Sequence, residues 1–338
     1  MEKITEYTFK NGEYSFSILN YGAHVSSICV PDRDGKVENV VLPYPGFKDN
    51  PEALLATKAS MNFIIGRFAN RISGPGFTLN GKTYRFEPDK GDVMCHSGKG
   101  NIGARFWDVK KVENGFLCHV KTTEEQDGFP GTMDVWVKYT MTAEGNFTIH
   151  YKAICSEDCP LNLTSHIYFN LSGDFRKTIL RETALFESDR LARLDDRKVP
   201  DGTMLNTCST CFDFSTPHEV GERIEEAGGY DHPYEVRRDK GHERGFKRFA
   251  LISDPDSGRV MECFTDLPSF QFYTANTLAN AGLGYGNYQG LCLETQFFPN
   301  SPNIEGFPSC IVKAGEIFES STTYSFSTDR MEGDRKWK

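Results

Sequence analysis

Strand periodicity runs through most of the chain. In MDVWVKYTM the residues Met133, Val135, Val137, Tyr139 and Met141 alternate with other positions. The turn AEGN follows, and Phe147, Ile149, Tyr151 and Ala153 then alternate again. A period of two on either side of a short polar break predicts a long antiparallel hairpin. The same pattern occurs at Tyr14, Phe16 and Ile18 after Asn11 and Gly12. It recurs in FTLNGKTYRF, where Asn80 and Gly81 suit a two-residue turn of positive φ between Leu79 and the pair Tyr84 and Phe86. PDRDGK and DPDSG read as further turns; the first lacks the spaced ligands and closing glutamate of a calcium loop.

Helical pattern is scarce. PHEVGERIEEA, Pro217 to Ala227, and NPEALLATKASM, from Asn50, each predict a few turns. The run RRDKGHERGFKR, Arg237 to Arg248, reads as a solvated loop between strands. No Pro/Gly/Ser linker, low-complexity tract or internal repeat divides the chain. The fold class expected is therefore all-β: one large β-sandwich over residues 1–338, with a few short helices.

Composition removes several classes of function. A net charge of -9 argues against nucleic-acid and anionic-membrane partners, both of which need a basic surface. No apolar stretch is long enough to cross a bilayer. The opening MEKITEYTFKNGEYSFSILNYG has no basic segment followed by an apolar run, so cytoplasm is the expected compartment. The ten cysteines are then expected to be reduced thiols. Cys155 with Cys159 and Cys208 with Cys211 are a loose match to paired zinc knuckles, and structural zinc is the lesser reading of them.

Polar residues that break the strand text narrow the function. PLNLTSHIYFNLSG reads as a strand with Leu161, Leu163, Tyr168, Phe169 and Leu171 available for a core, yet it carries His166 at its centre. A histidine there is often only a packed side chain with one nitrogen satisfied. Four other segments show the same feature: GRFANRI with Arg67, Asn70 and Arg71; VMCHSGKGNIGARFW with His96; GGYDHPYEV with Asp231 and His232; and GLCLETQFFPNSPN with Glu294. Unpaired burial of such groups costs several kcal/mol, so each is expected to be paired or functional. Together they offer two carboxylates, imidazoles and a guanidinium, which suits proton transfer on a polyhydroxylated substrate. Arg71 also reads as a salt bridge closing its turn, and Asp231 as a turn or cap interaction. Strand alternation aims His232 away from Asp231, toward a structural role.

GRFANRI, NLTSHIYFNLSG, GYDHP, QFYTAN and LETQFFPNSPN, in this order, resemble the aldose 1-epimerase (galactose mutarotase) family. ILNYGAHVSSICVPDRDGK and AGEIFESSTTYSF are similar to that family's first and last strands, so the resemblance covers nearly the whole chain. It implies a large, twisted antiparallel β-sandwich, no metal or organic cofactor, and interconversion of the α and β anomers of free aldoses such as galactose and glucose. By position it implies Glu294 as general base, His166 as general acid and His96 as a further active-site histidine. Arg71 and Asp231, with the neighbouring Asn70, are expected to hold sugar hydroxyls. Two departures stand out: Cys95, Ser97 and Gly98 flank His96 where the family usually has leucine before and two glycines after. Pro233 occupies a position where many relatives carry a polar residue, and bears on sugar preference.

The chemistry also stands apart from the family. Anomer exchange needs deprotonation of the anomeric hydroxyl and protonation of the ring oxygen; a carboxylate and an imidazolium can do both. None of the usual nucleotide motifs is present. Three other readings compete: a non-catalytic sugar-binding module, which need not keep His166 and Glu294; a hexose-phosphate epimerase, with Arg67 and Lys99 as conceivable phosphate clamps; and a metalloenzyme using His96, His166, Asp231 and Glu294 as ligands.

Overall fold

The alternation around Val137 and Ile149 is realised as paired strands Thr132–Met141 and Asn146–Cys155, with Val137 opposite Tyr151. The computed structural model describes residues 2–57, 59–89, 91–237 and 245–330. Within them the hairpin lies inside a nine-stranded antiparallel sheet. That sheet runs from Asp108–Val112 through Gly115–Thr123, the hairpin, Ile317–Thr328, Arg259–Thr265 and Lys247–Ser253 to Thr183–Phe186 and His218–Glu219. Its inner face is the alternating apolar set, and every one of Met133, Val135, Val137, Tyr139 and Met141 is fully buried. The residues between them are half-buried or exposed, as the period of two requires.

Two smaller sheets cover that inner face. The first has four strands, Glu6–Asn11, Tyr14–Leu19, Val25–Pro31 and Val37–Asn39. It inserts Phe16 against Phe147 and Phe116, with ring centroids 5.1 and 5.9 Å away. The second has five strands, in the order Pro200–Asn206, Arg190–Leu194, Asp231–Glu235, Ser269–Tyr273 and Cys292–Gln296. Phe270 packs on Phe249 and Phe186 of the large sheet, at 4.6 and 5.1 Å. Fully burying each such ring contributes about 1.5–3 kcal/mol. The expected sandwich is thus one long sheet facing two shorter ones, with helix confined to short turns among the described residues.

The Asn80–Gly81 turn takes φ of 52° and 79° between paired strands Gly76–Leu79 and Lys82–Arg85, as the two-residue hairpin predicts. The helix expectations hold only in part. Of Pro217 to Ala227, only Ile224–Ala227 is α-helical. His218 and Glu219 instead extend the large sheet beside Ala184 and Thr183. Gly221 then passes so close to the Leu180 carbonyl that a Cβ there would sit 2.8 Å from its oxygen. The Asn50 segment forms a six-residue 3-10 turn, Pro51–Ala56. The charged run expected as a loop lies outside the described residues at 238–244; Lys247 and Arg248 already belong to a strand.

Pro160 to Gly173 is also not the simple strand its pattern predicts. Ladder pairing is limited to Cys159–Pro160 with Ile311–Val312 and to Thr164–Ser165 with Ile64–Ile65. Isolated bridges add Asn162 to Phe68, and Phe169 to Val41 and Leu291. Leu161 to Leu171 is buried at every residue rather than every second one. The segment threads between sheets and changes partner every few residues, which removes the one-sided alternation of a sheet surface.

Arg67 anchors the loop that carries Asn70 and Arg71. It is 0% exposed, and its Nε donates to Asp127 Oδ2 at 2.8 Å. Its two terminal nitrogens donate to the carbonyls of Pro130 and Gly131. Removing one partner leaves the other charge buried alone, so Arg67→Ala is expected to lower unfolding free energy by about 3–5 kcal/mol. Urea denaturation followed by circular dichroism measures this; a loss within 1 kcal/mol would contradict the account.

Candidate active site

Sheet register assembles one wall of the site. Gln271 is paired with Glu294, Tyr273 with Cys292, and Asp231 with Tyr273. Paired residues share a face, so Asp231, Gln271, Tyr273, Cys292 and Glu294 all project from one side of the five-stranded sheet. His232 pairs with Phe272 on the opposite side, where its ring packs 4.5 Å from Phe212, in keeping with a structural role.

The other wall comes from the threading segment and the 67–71 loop. His166 follows the two-residue strand Thr164–Ser165; its backbone N–H donates to Phe63, and its carbonyl accepts from Asn62. Tyr168 lies flat against the His166 ring, at 5.0 Å and 5°. His166 Nε2 faces Glu294 Oε1 at 3.7 Å, and both residues are buried, at 7% and 2% exposure. The His96 ring centroid is 5.3 Å from that of His166.

Asn70 and His96 are locked reciprocally. The His96 N–H donates to the Asn70 carbonyl at 2.9 Å, and the Asn70 N–H donates to His96 Nδ1 at 3.2 Å. Both residues take left-handed φ, 63° and 51°. Ser97 also has a positive φ, 62°, at the first of the positions where glycine is usual. Its hydroxyl accepts from the Phe68 N–H and donates to the Phe68 carbonyl, which offsets the conformational strain. The unusual neighbours of His96 therefore keep it in the site.

Arg71 and Asp231 meet across 160 residues, Nη2 to Oδ2 at 3.1 Å. Arg71 therefore does not close its own turn as that reading of its sequence expected; its salt bridge reaches across to the five-stranded sheet at the mouth of the site, and both partners stay partly exposed. Gln271 Nε2 donates to the other Asp231 oxygen at 2.6 Å, and Asn70 Oδ1 accepts from the Arg71 N–H and Nη1. Gln271, in QFYTAN, was not among the predicted site residues; its place opposite Glu294 follows from pairing register, which only the fold reveals. Asn162 was missed as well. Its amide bonds Ala69 and Phe297 and so ties the 67–71 loop to the strand bearing Glu294.

Burial governs the charges. Desolvation lifts the Glu294 carboxyl well above its ordinary value; Asp231 adds to the rise and Arg71 opposes it. Desolvation drops His166 to about 4, against its own carbonyl and Asp231, which favour the proton, while Arg71 disfavours it. His96 falls well below its usual range through burial, then His166 and Arg71. Burial also pushes Asp231 upward, but Arg71 and Gln271 outweigh it and hold that carboxyl below its usual value. For Arg71, burial is outweighed by Asp231, which keeps the guanidinium charged.

His96, His166 and Glu294 each offer a ligand atom within 4.8 Å of the others, a spacing that a divalent cation could share. Asp231 does not join that cluster. The two cysteine pairs form no such cluster among the described residues, and all ten cysteines are unpaired thiols, so the zinc-knuckle reading is set aside. The phosphate-clamp reading loses both its cations: Arg67 is consumed in the core, and Lys99 is an exposed partner of Glu87.

The β-sandwich thus sets an imidazole and a carboxylate face to face beside a guanidinium–carboxylate pair, an arrangement suited to acid/base chemistry. Residues 5–325 match the aldose 1-epimerase family, and the chain belongs to it. It is 32% identical to galactose mutarotase of Bos taurus over 332 residues, which cover 96% of this chain and 94% of that one. It is 28% identical to aldose 1-epimerase of Escherichia coli strain K12, over 92% of this chain and 91% of that one. Among solved structures, an aldose epimerase homologue from C. elegans superimposes with a TM-score of 0.87 at 24% identity, covering 96% of this chain and 99% of that one. Galactose 1-epimerase of Lactobacillus acidophilus gives 0.81 at 20% identity, over 97% and 95% of the two chains. These two likenesses bear out the expected fold. Among the described residues no helix is long and apolar enough to cross a membrane.

Proposed function

We propose that this chain is a mutarotase of free aldoses, galactose and glucose foremost, built as a single domain and working in the cytoplasm without a cofactor. The observation that carries this reading is the 3.7 Å approach of His166 Nε2 to Glu294 Oε1 in a buried site. Glu294 takes the proton of the anomeric hydroxyl while His166 Nε2 protonates the ring oxygen. The bond between C1 and the ring oxygen breaks, giving an open-chain aldehyde. Rotation about the bond from C1 to C2 presents the other carbonyl face, and reclosure uses the same two groups reversed. His96 accepts the Asn70 N–H at Nδ1, so its own proton sits on Nε2 and it serves as a fixed donor to the sugar.

Arg71, Asp231 and Asn70 hold hydroxyls away from the reacting centre. Such contacts persist in ground and transition states alike, so Arg71→Ala or Asp231→Ala is expected to raise KM roughly 10–100-fold with turnover little changed. A collapse of turnover at constant KM would place the residue in the chemistry instead. Mutarotation rates measured by polarimetry before and after dialysis against a strong chelator test the cofactor statement. An unchanged rate is expected; activity lost and then restored by zinc or manganese would favour a metal at His96, His166 and Glu294.

A further inference from the structure

His166 shuttles a proton only if its neutral ring leaves Nε2 bare. After donating from Nε2, the ring must keep its remaining proton on Nδ1, so that Nε2 can take a proton back on reclosure. What faces Nδ1 therefore decides whether the cycle can turn. The side-chain neighbour there is Cys292, whose Sγ lies 3.4 Å from His166 Nδ1, with the histidine's own carbonyl also favouring a ring proton. Cys292 stands two residues before Glu294 on the same strand and the same sheet face. Tyr168 stacks flat on the His166 ring, and Tyr273 meets both rings edge-on, which fixes the plane of the imidazole.

We propose that Cys292 is a positioning residue that accepts Nδ1–H from His166 and so holds the tautomer in which Nε2 gives and takes the proton. The inference rests on the roles proposed above for His166 and Glu294. His96 supplies the contrast within one site: a backbone N–H occupies its Nδ1, which fixes the opposite tautomer and makes it a donor only. A thiol suits the task because sulfur is a weak acceptor. A carboxylate at this position would hold the imidazolium too firmly to release its proton. The thiol also stays neutral, since it is fully buried and has Glu294 and Asp231 nearby.

Nitrogen-15 NMR of histidine-labelled protein near neutral pH reads the tautomer directly, with His166→Asn assigning the signals. In the parent, the neutral His166 ring is expected to carry its proton on Nδ1. Cys292→Ala should populate the Nε2–H form and lower turnover on the order of tenfold at constant KM. Cys292→Ser, whose hydroxyl can accept Nδ1–H, should restore both. A parent ring protonated on Nε2, or a tautomer unchanged in Cys292→Ala, would overturn the proposal. Because the NMR reading does not depend on turnover, a chain that shows these tautomers yet catalyses no mutarotation would support the role of Cys292 and overturn the functional reading.

Discussion

Glu294→Gln is expected to lower turnover by ~10²–10⁴-fold while leaving the fold and much of the sugar binding in place. Glutamine keeps the shape and can still hydrogen-bond a hydroxyl, but its amide cannot accept the anomeric proton. The pH profile carries the sharper signature. Burial drives both groups toward their neutral forms, so in the empty site the pair shares one proton that rests on Glu294. The productive arrangement, Glu294 ionised and His166 protonated, is the minor isomer of that singly protonated pair. The parent rate should fall as pH drops through about 4, where a second proton adds at His166. It should fall again on the alkaline side, as the shared proton leaves at the raised pKa of Glu294. These limbs belong to the pair rather than to either residue. In Glu294→Gln only His166 must be protonated, so the residual rate should rise as pH falls through about 4, with no acid limb.

His166→Asn is the second large effect, again ~10²–10⁴-fold in turnover with a smaller change in KM. Asparagine can hydrogen-bond the ring oxygen but cannot protonate it, so ring opening loses its acid while the sugar still docks against Arg71 and Asp231. His96→Asn should cost less than His166→Asn, because His96 is assigned as a fixed donor and transfers no proton. Equal losses in the two variants would move His96 into the proton shuttle and contradict its tautomer. Stopped-flow polarimetry with circular dichroism as a folding control separates these cases.

The strands were legible because their inward faces alternate without interruption, as in Met133 to Met141. The buried pairing of His166 and Glu294 was legible because each is an ionisable group inside apolar text, and the ordered motifs suggested the roles proposed for them. Gln271 and Asn162 were not, since neutral amides in strand and loop text carry no burial penalty conspicuous enough to flag them. The threading of Leu161 to Leu171 was hidden for a related reason: a segment buried on every side reads like a short strand, and its changing partners lie far away in sequence. The helix expected from Pro217 gave way to tertiary pairing, which outweighs weak local propensity at the edge of a large sheet.

The central claim is that Glu294 and His166 exchange the anomers of a free sugar by moving protons between them. Polarimetry on freshly dissolved α-galactose and α-glucose, with parent and Glu294→Gln protein at equal concentration, tests it most directly. The account predicts that the parent brings optical rotation to its equilibrium value far faster than buffer alone and that Glu294→Gln stays near the buffer rate. A folded Glu294→Gln protein matching the parent, or a parent no faster than buffer on either sugar, would contradict it.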